Sequence, residues 1–154
     1  MSTALRERLV TELKTSMKAG EKQKLAAIRL IQAAVKDRDI EARGAGKGMA
    51  TDDEILALMQ KMIKQRQESA AIYAANGRPE LAATETGEID VINSFLPSQL
   101  NEADVAAAIK AAIAESGAAS MKDMGKVVAV LKAKHAGQMD FTKASALVKA
   151  ALTG

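Results

Sequence analysis

Apolar residues in this chain recur at every third or fourth position, and few β-branched or aromatic residues alternate at every second. Leu5, Leu9, Leu13 and Met17 step by four, with Val10 widening the stripe. Leu25, Ile28, Ile31 and Val35 repeat the rhythm and fade towards Ile40. That period lines one face of a helix, whereas a half-buried strand needs a period of two. Composition adds to the same side. The 48% apolar residues are mostly Ala, Leu, Ile, Val and eight Met, with two Phe, one Tyr and no Trp. The expected fold class is all-α.

Punctuation divides the pattern into seven helices. The first is expected from Thr3 to Lys18, ended by Gly20, and the second begins near Glu21. Arg43-Gly44-Ala45-Gly46-Lys47-Gly48 reads as a connector. It has the glycines and lysine of a phosphate-binding loop, but no strand precedes it and Gly48 stands where Ser or Thr is needed. Thr51-Asp52-Asp53-Glu54 forms a capping box that opens a third helix, stopped by Asn76-Gly77. Pro79 suits the first turn of a fourth helix, expected to reach Phe95. Beyond it, Asn101, Ser120 and Asp140 are the expected caps of three more helices, with Gly117 and Gly137 ending two of them. Their apolar stripes are Val105-Ile109-Ile113, then Met124-Val127-Val128-Leu131, then Leu147-Val148-Leu152.

Pro97 falls where one long helical pattern must stop, because proline lacks the amide a helix needs and pushes Leu96 out of helical geometry. Leu96, Pro97, Gln99 and Leu100 therefore read as a stiff hinge. It separates a four-helix bundle over residues 1–96 from a three-helix domain over residues 97–154. The first part carries 15 Lys and Arg against 14 acids, and the second 7 against 5, every base there being lysine. The total of +3 is much weaker than a dedicated nucleic-acid-binding surface would show on its own.

Other classes fall away by residue type. With no cysteine there is no disulfide, thiolate metal site or cysteine nucleophile, and a single histidine rules out a histidine-rich site. No metal and no cofactor are expected. Nothing approaches a membrane span, and the charged N-terminus lacks a signal peptide's apolar core, so the expected compartment is the cytoplasm, with no membrane partner. No nucleophile–base arrangement appears, so no catalytic residue is assigned.

Two constellations remain. At 100° per residue, Ile55, Met59, Met62, Arg66, Ser69 and Tyr73 share a stripe, and on the next helix Leu81, Glu85, Glu88, Ile92 and Phe95 do the same. Arg66 is expected to pair with Glu85, Glu88 or both as a structural ion pair, since a charge on a core face survives only when paired. Lys122, Lys126, Lys132 and Lys134 form the second group. They are either the solvated face of a helix or phosphate contacts. Gly125, inside the same helix, costs about 1 kcal/mol against alanine and is expected to admit the close approach of a neighbouring helix, or else of a ligand. His135, at the edge of the apolar face, is expected to cap or pack.

Several segments in order carry a resemblance over nearly the whole chain. They are Lys64-Gln65-Arg66-Gln67-Glu68-Ser69, Gly77-Arg78-Pro79-Glu80-Leu81-Ala82, Glu85 to Glu88, Leu96-Pro97-Ser98-Gln99-Leu100, Met124-Gly125-Lys126 and Ala144-Ser145-Ala146-Leu147-Val148-Lys149. The set resembles the GatB/YqeY family, in its stand-alone YqeY-like branch. The resemblance implies a four-helix plus three-helix architecture. It also implies kinship with the tail domain of the B subunit of tRNA-dependent amidotransferases, which amidate glutamate or aspartate mischarged on tRNA with glutamine as nitrogen donor. Under it, the function is a tRNA- or RNA-binding accessory module of translation without its own catalytic site, and the partners are tRNA or an aminoacyl-tRNA amidation complex. The alternatives are a part of a carbon–nitrogen ligase with glutamine as amido-N-donor, and a protein–protein adaptor. At Gly137-Gln138-Met139-Asp140 the chain departs from the family, which often has a basic residue after the glycine.

Overall fold

The structure is a computed structural model that describes residues 4–153. Among them are seven α-helices, one 3-10 turn and no strand, so the chain is all-α. Helix α1 spans Ala4–Ala19, α2 Lys22–Gly44, α3 Asp52–Ala75 and α4 Pro79–Asn93. Then follow α5 at Glu102–Ser116, the 3-10 turn Met121–Asp123, α6 at Met124–His135 and α7 at Phe141–Thr153. Thr3, the expected start of the first helix, lies outside the described residues. The chain divides into two compact units, Met1–Leu96 and Pro97–Gly154.

The first unit is held by one apolar cluster. Leu5 and Leu9 of α1, Ile28, Ile31 and Val35 of α2, Ile55, Met59 and Met62 of α3, and Ile92 with Phe95 all contribute. Burying each such side chain stabilises the unit by about 1.5–3 kcal/mol before chain entropy is charged. The α3 start follows the capping-box chemistry. The Glu54 amide donates to Thr51 Oγ1 at 3.2 Å, and that hydroxyl reaches the Glu54 carboxylate at 3.4 Å. Gly77 ends the α3–α4 connection with φ +72°, a left-handed conformation open to glycine without strain.

Several stripe assignments are corrected. Met17 is 55% exposed and Val10 also lies outside, because the buried face of α1 turns towards Ser16, which is fully buried. On α2 the core face continues through Asp39, 8% exposed, and not through Ile40, which faces out. Leu81 and Leu147 are exposed as well. Helix α4 stops at Asn93, two residues short of the expected Phe95, yet Phe95 is buried with Arg8 stacked 5.0 Å above its ring.

In the second unit, Ile109, Ala112, Val127, Leu131, Ala144 and Val148 centre the core. Asn101 Oδ1 accepts the Asp104 amide at 2.7 Å, and Gly117 closes α5 in the left-handed region. The Ser120 cap is overturned. Its side chain makes no capping bond, and a 3-10 turn leads into α6 with Asp123 Oδ2 accepting the Ala119 amide at 3.0 Å. Asp140 Oδ1 accepts the amides of Thr142 and Lys143 and so opens α7. The segment after Pro97 is tied into this unit: Gln99 Nε2 donates to the Pro97 and Gly137 carbonyls, and the Leu100 amide donates to Gln138 O at 2.9 Å.

Candidate nucleic-acid interface

The basic residues of the second unit are carried mainly by α6 and the turn before it. Val127 and Leu131 anchor α6 in the core, and Lys126, Lys132 and Lys134 are carried on the rest of its circumference among small and apolar residues. Lys122, Lys126, Lys132 and Lys134 are all exposed. They do not form one patch. Two residues of helix turn through about 200°, so Lys132 and Lys134 leave opposite flanks of α6, whereas Lys126 and Lys134, eight residues apart, differ by only about 80°.

Pairing divides the same four. Lys126 Nζ lies 3.7 Å from Asp123 Oδ1, and Lys134 Nζ donates to the Glu115 carboxylate of α5. Among the described residues neither Lys122 nor Lys132 makes an ion pair. The Ala119 amide, against a smaller effect of burial and with help from Lys126, holds the Asp123 carboxyl below its usual range. The Lys134–Glu115 pair is exposed on both sides, and such pairs contribute about 0–1 kcal/mol, so a phosphate can exchange for the Glu115 carboxylate, whereas Asp123 is half-buried and also held by the Ala119 amide.

Gly125 sits on this exposed surface. A β-carbon added there would meet no atom within 4 Å, so no neighbouring helix approaches it and that expectation is corrected. The glycine with a close neighbour is Gly87 of α4, where the added carbon would lie 2.1 Å from Gln23 Nε2 of α2. His135 Nδ1 stands 3.1 Å from Gln138 Oε1, and Gln138 Nε2 donates to the Ser98 carbonyl at 3.3 Å. The Gln138 amide thus uses both ends at the position where the family often has a basic residue.

In the first unit, Arg66 Nε donates to Glu88 Oε2 at 2.8 Å, both side chains being largely covered, and Arg66 Nη1 reaches Met62 O at 3.3 Å. Glu85, one turn earlier on α4, is half-buried and stands outside that pair. A second pair was not foreseen from the sequence. Arg6 binds Asp39 through two nitrogens, at 2.8 and 2.7 Å, and also donates to Ala50 O at 2.8 Å. The Ala50 amide donates back to Asp39 Oδ1 at 2.9 Å. These bonds, Arg6 first, hold the Asp39 carboxyl down at about 2 against the opposing effect of burial. The signal was present: Asp39 follows Val35 by four residues, and so continues the buried stripe of α2. Among the described residues, no group of three His, Cys, Asp or Glu could hold a metal ion, and no helix is long and apolar enough to cross a membrane.

A family model described as "Yqey-like protein" matches residues 6–152. The chain belongs to the Yqey-like family. Curated relatives share the name "Altered inheritance of mitochondria protein 41, mitochondrial". The one from Saccharomyces cerevisiae (strain ATCC 204508 / S288c) is 33% identical over 94 residues, which is 61% of this chain and 49% of that protein. The one from Pyrenophora tritici-repentis is 29% identical over 133 residues, covering 82% and 71%. The one from Candida glabrata is 32% identical over 88 residues, covering 57% and 47%. The chain thus spans about half the length of the Saccharomyces and Candida relatives it matches. Their names correct the cytoplasmic expectation, because the compartment they print is the mitochondrion. A charged N-terminus and the lack of an apolar span among the described helices do not discriminate between those two compartments.

Proposed function

We propose that the chain is a tRNA- or RNA-binding accessory module that works beside an aminoacyl-tRNA amidation complex and contributes no catalytic group of its own. The observation that carries this reading is the second unit's basic surface, all lysine, of which Lys122 and Lys132 make no ion pair among the described residues and Lys134 pairs with an exposed carboxylate. Lys122, Lys126, Lys132 and Lys134 are the proposed phosphate contacts. Because they leave α6 in different directions, they suit a backbone that runs along and around the helix better than one short linear track. Phosphate contacts of this kind carry affinity and little sequence information, so discrimination between RNAs has to come from shape. The same reading keeps Leu96, Pro97, Gln99 and Leu100 as a joint between the two units. Part of a carbon–nitrogen ligase with glutamine as donor remains an assembly-level reading, in which this chain binds and a partner performs the chemistry.

Titration of labelled tRNA at several salt concentrations, with heparin as a generic polyanion, tests the proposal. The expected result is binding at low salt that weakens as salt rises and favours tRNA over heparin at equal charge. No detectable binding at low salt, or equal affinity for both polyanions, would overturn it.

A further inference from the structure

Helix α2 carries a row of bases on the side away from its buried stripe of Ile28, Ile31 and Val35. Lys22, Arg29, Lys36 and Arg43 follow one another at seven-residue steps, so each lies about 10.5 Å along and only about 20° round from the last. All four are exposed, and none makes an ion pair among the described residues. Between them on the same strip stand Ala26, Ala33 and Ile40, so no acid interrupts it. The three acids of the helix lie elsewhere. Asp39 is buried against Arg6, Glu41 pairs with Arg38, and Asp37 is about 100° round from Lys36. On α1 the strip of Val10 adds Glu7 three residues before it and Lys14 four after. The face as a whole sets five bases against two acids, Glu7 and Asp37.

Beside the row, α1 and α2 part to form a cavity of about 200 Å³. Leu9, Val10 and Val35 give it apolar walls, the Arg6–Asp39 pair lines it too, and exposed Lys36 stands at its rim. Gln32 also lines it, half-buried, and its amide has no hydrogen-bond partner among the described residues. Small-molecule sites run to about 300–1,000 Å³, so this cavity admits one flat ring of a larger molecule and not a whole cofactor. Apolar walls, an unspent amide and a cation at the rim suit a nucleobase whose own phosphate lies on Lys36. A phospholipid headgroup would meet the row of bases but offers no ring for the cavity, and the cavity therefore favours a nucleic acid over a membrane.

We propose that the α1–α2 face of the first unit is a second RNA contact, which takes a single-stranded segment or loop. Its backbone runs along Arg29, Lys36 and Arg43, and one unstacked base enters the cavity against Val10 and Val35, within reach of the Gln32 amide. The phosphates set the position and the inserted base adds what the α6 lysines lack, a requirement that the strand be unpaired. The proposal rests on the reading of the chain as an RNA binder, but on residues of the other unit, so the two can fail separately.

Fluorescence anisotropy of the full chain with a mixed-sequence single-stranded RNA of about twelve nucleotides tests the proposal. Changing Lys122, Lys126, Lys132 and Lys134 to glutamine isolates the first unit's share. That protein is expected to keep binding the strand at low salt, and to bind it more tightly than the same strand annealed into a duplex. Adding Arg29→Gln, Lys36→Gln and Arg43→Gln weakens binding at least about tenfold and makes the salt slope shallower by about 2. Gln32→Leu weakens the single strand about fivefold and leaves the duplex unchanged. Helicity by circular dichroism checks that each variant is folded. Loss of all binding with the four lysines changed, while the native chain still binds, overturns this proposal and leaves the α6 reading standing. Absence of binding by the native chain overturns both. Indifference to the Arg29, Lys36 and Arg43 changes or to Gln32→Leu, equal affinity for strand and duplex, or tighter binding to phosphatidylserine vesicles than to the RNA would also overturn it.

Discussion

Replacing Asp39 with asparagine isolates one charge in the best-connected polar contact of the first unit. The native carboxylate accepts two nitrogens of Arg6 and the Ala50 amide. Asparagine keeps nearly the same shape and retains an acceptor for Ala50, but leaves the largely covered Arg6 guanidinium without an opposite charge. The fall of the Asp39 carboxyl from 3.8 to about 2 measures the coupling. Discounted for the solvent that still reaches the pair, it corresponds to about 2 kcal/mol at neutral pH. The sign follows from linkage. A carboxyl depressed by folding adds stability that is complete above its unfolded value near pH 4 and is lost as pH falls through about 2. Urea denaturation of both proteins should therefore show Asp39→Asn weaker by about 2 kcal/mol at pH 7, with about half of that difference gone at pH 3. In a background of Arg6→Gln the same change should cost far less, because the two residues act as one unit. A difference below about 0.5 kcal/mol at pH 7, or one unchanged at pH 3, would refute the reasoning.

Other substitutions test separate links. Arg66→Ala leaves Glu88 partly covered and unpaired, so thermal unfolding of the first unit should move down by about 2–3 kcal/mol; an unchanged melting temperature contradicts the structural role. Ser16→Ala removes a buried hydroxyl that has no hydrogen-bond partner among the described residues, and should be neutral or stabilising by up to about 1 kcal/mol in the same assay. Gly125→Ala meets no atom and has an ordinary helical backbone, so it should stabilise the second unit by about 0.5–1 kcal/mol; a loss would restore the close-approach reading. Asn101→Ala removes the cap of α5 and should cost about 1 kcal/mol, read by chemical denaturation.

How far the sequence reached depended on the kind of signal. Helix ends written in local chemistry, such as Thr51 with Glu54, Asn101, Gly117 and Asp140, are where the side chain itself satisfies or frees the backbone, so they can be read without knowing the neighbours. Stripe membership was less secure at the edges. Met17 and Leu147 fit a four-residue rhythm but face outward, because the buried faces of α1 and α7 are narrow and leave both side chains at least half exposed. Polar residues inside a stripe were legible when the partner lay on the next helix, as with Arg66 and Glu88. The Arg6–Asp39 pair spans 33 positions and a third element at Ala50, and helical periodicity holds no information about such distant partners. Gly125 misled for a related reason. A glycine inside a helix signals close approach only if something approaches, and composition cannot say whether it does. For the lysines, the sequence supplied their number but not that α6 separates Lys132 from Lys134.

The salt dependence of tRNA binding, compared between the native chain and the variant with Lys122, Lys126, Lys132 and Lys134 all changed to glutamine, tests the central proposal most directly. The account predicts that log affinity falls linearly with log salt for the native chain. It predicts a slope shallower by about 0.7–0.9 for each lysine that contacts phosphate, with the variant remaining helical. Equal slopes and equal affinities in the two proteins would contradict it.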